Sequence, residues 1–364
     1  MSSTMSLYET TLMLVNPGED SFVPIHRTYR NVIAHALHMT SAKGKLDILV
    51  MNLAPTFSEV HYIIAQLYLL TGEIAKTEQR EGVEVCVLLD GVGGFDVADT
   101  ARRSWEVVAV GKSDTTVLSI FLSEQQSSRF SPALPIVVLP MGLQMMSSAS
   151  SVTGDTDEYS EGDDAPAVGD AGLLVDSDEE ASEDEPEADE GTEGEYDVVA
   201  LGGTFDHLHD GHKILLTMAG FLARKALIIG VTGPALLKNK KYKEYMQPLE
   251  ERCEKVLEFL KYVYPGLRAT THEISDIYGD AVNIDAIDAL VVSGETRAGG
   301  KAVNKERRRR GMRALKLWEI GVVAGDPDKN WEGKLSSTDL RRREAERALG
   351  GLGGMGGDDA APER

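Results

Sequence analysis

Residues 202–212 read GGTFDHLHDGH and directly follow a short, mostly apolar run at 197–201. The apolar run predicts a buried strand, and the glycine pair predicts a turn in which the backbone can approach a ligand closely. A helix is expected to begin near Gly211, because apolar residues then recur three and four positions apart. The free N–H groups at a helix start favour an anion, and His209 and His212 can donate hydrogen bonds there. This strand–turn–helix segment therefore indicates a phosphate-binding site.

The rest of the second half, 196–350, alternates strand-like and helix-like patterns. Predicted strands lie at 226–231, 270–274 and 289–292, and predicted helices at 249–262, 300–313 and 337–348. Helices between successive strands imply right-handed crossovers and a parallel sheet. Ligands of such sheets bind at the carboxyl ends of the strands, so we expect the site there.

The first half, 1–150, also predicts an α/β domain. Its predicted strands lie at 45–51, 83–89, 105–110, 116–122 and 135–139, with a helix at 58–76. The segment 45–70 faintly resembles the start of the second half, but it lacks the glycine pair and both histidines. Four scattered histidines show no metal-ligand spacing and are expected to be surface or core residues: His26, His35, His38 and His61. We therefore expect the first half to take no part in the chemistry. A chain that begins at residue 196 is expected to fold and to be active alone.

One segment accounts for the acidity of the chain. The 364 residues carry 59 acidic and 37 basic side chains, a net charge of −22. Residues 154–195 hold 19 of the acids and no Lys or Arg, which leaves 40 acids against 37 bases elsewhere. A segment so charged and so poor in large apolar residues cannot bury enough surface to offset the entropy of ordering. We therefore expect 151–195 to be a disordered acidic linker and 351–364 to be a flexible, glycine-rich tail.

Other features exclude several classes of protein. No apolar run reaches the roughly 18 residues that a membrane-spanning helix needs, and the start lacks a secretory pattern. Cys86 and Cys253 are too few for a disulfide framework or a cysteine zinc site. The basic run at 305–310 lacks interleaved aromatic residues, so we expect a solvated helix face rather than a nucleic-acid site. We expect a cytoplasmic location, with an additional nuclear location if that basic run acts as a nuclear signal.

The segment at 202–212 fits G-T-F-D-x-x-H-x-G-H, the signature of the H-x-G-H nucleotidylyltransferase superfamily. Three further segments narrow the resemblance: a lysine loop at 230–240, an S-x-E-T segment at 293–296 followed by Gly299, Gly300 and Asn304, and an S-S-[ST]-x-x-R segment at 336–341. Over about 196–345 the chain resembles the eukaryotic and archaeal phosphopantetheine adenylyltransferases. The resemblance implies a Rossmann-like, five-stranded parallel sheet over 196–350. The first half resembles the amino-terminal extension of fungal members.

That family transfers AMP from ATP to 4′-phosphopantetheine, giving dephospho-coenzyme A and pyrophosphate in coenzyme A biosynthesis. The resemblance implies that His212, His209 and Lys238 act in catalysis and that Thr204 and Lys238 bind phosphopantetheine. For the nucleotide it implies Gly202, Gly203, Thr204, Phe205, His209, Gly211, His212, Ser293, Glu295, Thr296, Arg297, Ser336, Ser337, Thr338 and Arg341. Mg²⁺ is expected to arrive with ATP, and no protein ligand is expected for it.

Two departures and two alternatives accompany this interpretation. Relatives often carry an arginine where this chain has Ala298, and we expect Arg297 to substitute for it. The first half carries neither the glycine pair nor the histidines of the motif. A cytidylyltransferase of the same superfamily is the first alternative, and an inactive scaffold of a complex that makes coenzyme A is the second. The expected partners are ATP, 4′-phosphopantetheine and other enzymes of coenzyme A biosynthesis, without nucleic acid or membrane.

Overall fold

The computed structural model describes residues 7–17, 24–52, 56–92, 103–127, 134–141, 191–238, 240–321 and 337–352. The predicted acidic linker lies outside the described residues up to position 190, and the predicted tail lies outside them from 353. Residues 1–142 and 190–364 group together as one compact unit.

The first half of the chain forms a parallel five-stranded sheet. Its elements are β1 (Tyr8–Val15), α1 (Ile25–Met39), β2 (Thr40–Val50), α2 (Phe57–Thr77), β3 (Glu84–Leu89), β4 (Val107–Gly111), α3 (Thr115–Ser127) and β5 (Ile136–Leu139). The strand order is β3-β2-β1-β4-β5, and every neighbouring pair is parallel. The inner strands read as continuous apolar runs because helices cover both faces of such a sheet.

The second half forms a second sheet of the same kind. Its elements are β6 (Tyr196–Gly203), α4 (Asp210–Leu222), β7 (Ala223–Thr232), α5 (Leu249–Val263), β8 (Arg268–Ile274), β9 (Ala289–Ser293), α6 (Arg297–Arg309), β10 (Lys316–Ile320) and α7 (Ser337–Leu352). The order is β10-β9-β6-β7-β8, again with parallel neighbours only. The predicted five-stranded, Rossmann-like parallel sheet is confirmed.

The two sheets share one connectivity. In each, the first strand is central, the next two lie on one side of it and the last two on the other. The counterpart of the turn after β6 is therefore the turn after β1, so the faint resemblance drawn from 45–70 is wrong by one strand. Just after β1, at the carboxyl ends of the strands of the first sheet, the Tyr29 hydroxyl lies 2.8 Å from both Asp114 Oδ2 and the carbonyl oxygen of Asn16. Buried protein side chains thus fill the space after β1 in the first sheet.

Some predicted elements of secondary structure need correction. The predicted strand at 116–122 is part of helix α3, where Val117 and Phe121 are buried four residues apart. A short apolar run is ambiguous between strand and helix, and its β-branched residues favoured the wrong choice. β1, α1 and β10 were not predicted, since each opens with polar residues or alternates them with apolar ones.

The two halves share one hydrophobic core. Helix α2 of the first half packs against α4 of the second, and a single buried cluster includes residues of both sheets. Polar contacts also cross: Lys213 Nζ donates a 2.7 Å hydrogen bond to the carbonyl oxygen of Val85. The buried Asp47 carboxylate accepts hydrogen bonds from Trp105 Nε1, at 2.7 Å, and from the hydroxyl of Tyr262 in the other half. The first half is therefore packed against the elements that carry the motifs.

Candidate active site

A cavity of about 840 Å³ lies at the carboxyl ends of the second sheet. It spans the point between β6 and β9 where the strand order reverses, which is the usual ligand position in an open parallel α/β sheet. The sequence-predicted residues that line it are Gly202, Gly203, Thr204, His209, Gly211, His212, Ser293, Thr296, Ser337, Thr338 and Arg341. Phe205, Lys238 and Arg297 are not among the lining residues. Ser336 and the side chain of Glu295 lie outside the described part of the chain.

The turn after β6 is shaped by its buried residues. A Cβ atom on Gly203 would lie 3.0 Å from the Phe205 ring, so a side chain there would press against that ring. Phe205 has a φ of 50°, in the left-handed region, and its side chain is fully buried. Its ring packs against His212 with 5.3 Å between centroids. Phe205 therefore supports a cavity-lining histidine and does not itself line the cavity.

The two histidines of the motif lie at the start of α4. His209 is the N-cap residue and His212 belongs to the first turn, and their rings stack with 3.8 Å between centroids. Asp210 lies between them in sequence but does not line the cavity; burial raises the pKa of its carboxyl, and Lys213 opposes the shift. Two imidazoles and the free N–H groups of a helix terminus thus meet at one edge of the cavity, an arrangement suited to an anion.

Helix α7 supplies another edge of the cavity. The Ser337 hydroxyl donates a 2.9 Å hydrogen bond to the carbonyl oxygen of Asp206, in the turn after β6. The Arg341 guanidinium pairs with the buried Asp206 carboxylate, and its Nη2 donates to Thr338 Oγ1 at 3.1 Å. Asp206 also accepts a 2.9 Å hydrogen bond from the backbone N–H of Gln247. Asp206 therefore fastens α7 to the turn, which places the start of that helix beside the histidines.

The segment from β9 to α6 forms the opposite edge of the cavity. The backbone N–H of Ser293 donates to Thr296 Oγ1 at 2.9 Å, which fixes the turn between the two elements. Arg297 forms an ion pair with Glu319 at 3.2 Å and lies outside the lining. The Asn304 amide bonds the backbone just before β10 and is buried, so it holds α6 to the sheet.

The comparisons with known proteins agree with this geometry. Residues 200–343 match the family model described as Cytidylyltransferase-like. A phosphopantetheine adenylyltransferase of Pyrococcus abyssi is 38% identical over 128 residues, which cover 35% of this chain and 80% of that protein. This chain belongs to the phosphopantetheine adenylyltransferase family.

Two fungal relatives extend the comparison. The phosphopantetheine adenylyltransferase of Saccharomyces cerevisiae is 44% identical over 147 residues, covering 40% of this chain and 48% of that protein. An uncharacterized protein of Schizosaccharomyces pombe is 38% identical over 164 residues, covering 44% of this chain and 52% of that protein. The matched part of the chain spans about half the length of these two fungal relatives.

The lysine loop of this family member differs from the expectation in one respect. Lys238 does not line the cavity, whereas Lys240 does. Asn239, between them, lies outside the described residues. The geometry therefore favours Lys240 as the loop lysine that reaches a ligand.

Several residues that line the cavity lie outside the recognised motifs and were not predicted from the sequence. His272 Nδ1 of β8 contacts Asp280 Oδ2, and both residues line the cavity together with Tyr278. His272 lies in the middle of the predicted strand at 270–274, so the sequence offered no signal that singled it out. His61 and Ala65, on α2 of the first half, also line the cavity, and no sequence signal placed the first half near the site.

Two further properties concern only the residues that the structure describes. No three His, Cys, Asp or Glu side chains converge there in a way that would hold a metal ion. No helix in those ranges combines the length and apolar character needed to cross a membrane.

Proposed function

We propose that this protein transfers AMP from ATP to 4′-phosphopantetheine, giving dephospho-coenzyme A and pyrophosphate in coenzyme A biosynthesis. The observation that carries the proposal is the stacked pair His209 and His212 at the start of α4, within a cavity at the strand-order reversal. A cavity of about 840 Å³ has room for two phosphorylated substrates side by side. The names of the Saccharomyces and Pyrococcus relatives support the same activity.

The reaction requires positioning more than acid–base chemistry. A phosphate oxygen of phosphopantetheine is already a nucleophile at neutral pH; it attacks the α-phosphorus of ATP, and the bond to the bridging oxygen of pyrophosphate breaks. The enzyme holds the two groups in line and neutralises the charge that builds on the phosphoryl oxygens. We assign this role to His212 and His209, with Thr204 as a hydroxyl and backbone donor and Lys240 as a cation in the cavity wall.

The leaving pyrophosphate is assigned to the start of α7. Ser337 and Thr338 bring hydroxyl groups and free backbone N–H groups to the cavity, and such a helix terminus favours phosphate. Arg341 adds positive charge at this edge, although its guanidinium is held mainly by Asp206. Arg341 therefore mainly holds α7 in place. Ser336 is assigned to the same pyrophosphate-binding residues as a prediction from the sequence.

The remaining parts of the two substrates are assigned to opposite sides of the sheet. We assign the adenosine part of ATP to the β9–α6 side, where Ser293, Thr296 and Gly299 line the cavity. We assign the pantetheine arm to the β8 side, where the His272–Asp280 pair lies on the same flank as the apolar Ile274. A long arm with two amide groups suits such a mixture of polar and apolar lining.

Mg²⁺ is proposed to enter with ATP. Asp280 is the only carboxylate among the described residues that line the cavity, and Mg²⁺ commonly takes many of its oxygen ligands from nucleotide phosphates and water. When bound, the ion supplies charge neutralisation on the phosphates. A cytoplasmic location and association with other enzymes of coenzyme A biosynthesis complete the proposal; the location rests on the sequence features and the association on the family resemblance.

One assay tests the activity against its alternatives. Pyrophosphate release is measured with ATP and 4′-phosphopantetheine, and separately with CTP and phosphocholine. We expect turnover only with the first pair. Turnover with the second pair would identify a cytidylyltransferase, and a folded protein that turns over neither pair would identify an inactive scaffold.

A further inference from the structure

Helix α2 of the first half forms part of the wall of the cavity. His61 and Ala65 lie four residues apart, hence on one face of α2, and both line the cavity that holds His209 and His212. The wall on this side is thus contributed by a half of the chain that carries no phosphate-binding motif.

The start of α2 is fixed against the second half by several contacts. The Phe57 ring packs against Trp318 of β10 with 4.9 Å between centroids, and the backbone N–H of Phe57 donates to the carbonyl oxygen of Gly191 at 2.8 Å. Thr56, the N-cap residue, forms a β-bridge with Thr192. These contacts hold His61, one turn further along, beside β10 and therefore on the flank assigned to adenosine.

The chemistry of His61 suits an uncharged ligand group. Burial lowers the pKa of this imidazole to about 4, so the ring is neutral at pH 7 and has one donor and one acceptor. Its ring lies 6.2 Å from that of Phe57, measured between centroids, in a stacked arrangement. A neutral planar ring on an apolar wall favours a nucleobase or ribose over a phosphate group.

We infer that His61 is a nucleotide-binding residue, supplied by the first half of the chain, that contacts the adenosine part of ATP. The inference rests on the proposed function for the identity of the nucleotide. It gives the amino-terminal half a direct part in the site.

The test measures equilibrium binding of Mg·ATP by calorimetry in the full-length chain, so that it needs no turnover. In His61→Ala the Kd for ATP should rise about three- to tenfold, the effect of one lost hydrogen bond with its contact. His61→Asn, which keeps an amide donor and acceptor, should recover part of that loss. His35→Ala, which removes an exposed histidine from α1, is the matched control and should bind as wild type.

Steady-state kinetics with both substrates complete the test. The KM for ATP should rise by a similar factor in His61→Ala, with a much smaller change in the KM for phosphopantetheine. His61→Leu keeps bulk at the same place on the wall but removes both ring nitrogens, so it should weaken ATP binding in the same way and keeps the proposal testable if His61→Ala folds poorly. Unchanged ATP affinity in both variants, or a rise confined to phosphopantetheine, would overturn the inference. A wild-type chain that binds ATP but transfers no AMP would overturn the proposed function alone.

Discussion

His212 lies where a negative charge is expected to develop, stacked on His209 and packed against the buried Phe205. His212→Ala should therefore lower kcat by about 10²–10³-fold, the range for one preorganised donor. The melting temperature should change little, because the ring lines a cavity and is only partly buried. Initial rates of pyrophosphate release and a thermal melt check both parts. Near-normal turnover in the folded variant would remove His212 from the mechanism.

The two loop lysines form a matched pair for a second test at this scale. Lys240 lines the cavity and Lys238 does not, so Lys240→Ala should raise the KM for phosphopantetheine more than Lys238→Ala does. Both variants remove one positive charge from the same loop, which cancels the general electrostatic effect. The opposite ranking would restore the assignment made from the sequence.

At single residues, the sequence was most informative where a motif dictates the backbone. The glycine pair and the histidines at 209 and 212 were predicted because each type is needed at its place in a strand–turn–helix segment. Phe205 was assigned to the nucleotide because it belongs to the motif. Its φ lies in the left-handed region, however, and its ring is buried in the core. His61 and His272 lie in no motif, and only tertiary packing brings them to the cavity.

At the scale of elements, one buried ion pair contributes to the position of α7. Arg341 and Asp206 are both almost fully buried, so Arg341→Ala leaves a carboxylate without its charge partner. The cost should be about 3–5 kcal/mol of unfolding free energy, measured by urea denaturation.

A neighbouring arginine on the same helix provides the matched control. Arg342 pairs with Asp339 at 3.2 Å and with Glu346 at 3.1 Å, and all three side chains are largely exposed. Exposed ion pairs contribute little to stability, so Arg342→Ala should unfold as wild type does. Equal losses in Arg341→Ala and Arg342→Ala would show that the buried pair does not hold α7.

Elements with strong periodicity were predicted well, and ambiguous ones were not. α5 carries a regular apolar stripe, and both its ends fall within one residue of the prediction at 249–262. In α3, by contrast, β-branched residues open a short apolar run, and the burial of Val117 and Phe121 four residues apart decides for a helix. Propensity alone cannot make that decision, since it depends on which neighbours cover the segment.

At the scale of the whole molecule, Asp47 joins the halves through a buried carboxylate. Burial raises its pKa above the usual 3.8, against the opposing effects of Lys45 and the hydrogen bonds from Tyr262 and Trp105. A raised folded-state pKa means that the folded chain holds the proton more tightly than the unfolded chain. This contribution to stability is therefore present at low pH and is lost as the pH rises through the folded-state pKa.

Asp47→Asn isolates that effect, because asparagine keeps an acceptor but does not titrate. The unfolding free energy of the variant minus that of wild type should increase as the pH rises from about 4 towards 7. Urea denaturation at a series of pH values measures the difference. A difference that falls with pH would mean that Lys45 and the hydrogen bonds outweigh desolvation.

The shared core also changes the expectation for a chain that begins at residue 196. Without the first half, α4 would lose the helix α2 that covers it, and part of a buried cluster that includes Leu216 and Met218 would face water. We therefore expect such a chain to be less stable and more prone to aggregate than the full-length protein. Sedimentation and a thermal melt check this. A soluble monomer with the wild-type melting temperature would show that the second half closes its own core.

The packing of α2 against α4 has a consequence for the order of events on the ribosome. α4 ends at Leu222, roughly 80 residues after position 142, so at about 5–20 residues per second the first half has roughly 4–16 s in which to fold ahead of it. When the apolar face of α4 emerges, α2 is then already available as a folded surface tethered to the same chain. We therefore expect α4 to dock on α2 as it emerges, which would shorten the time for which its apolar face is open to misassembly.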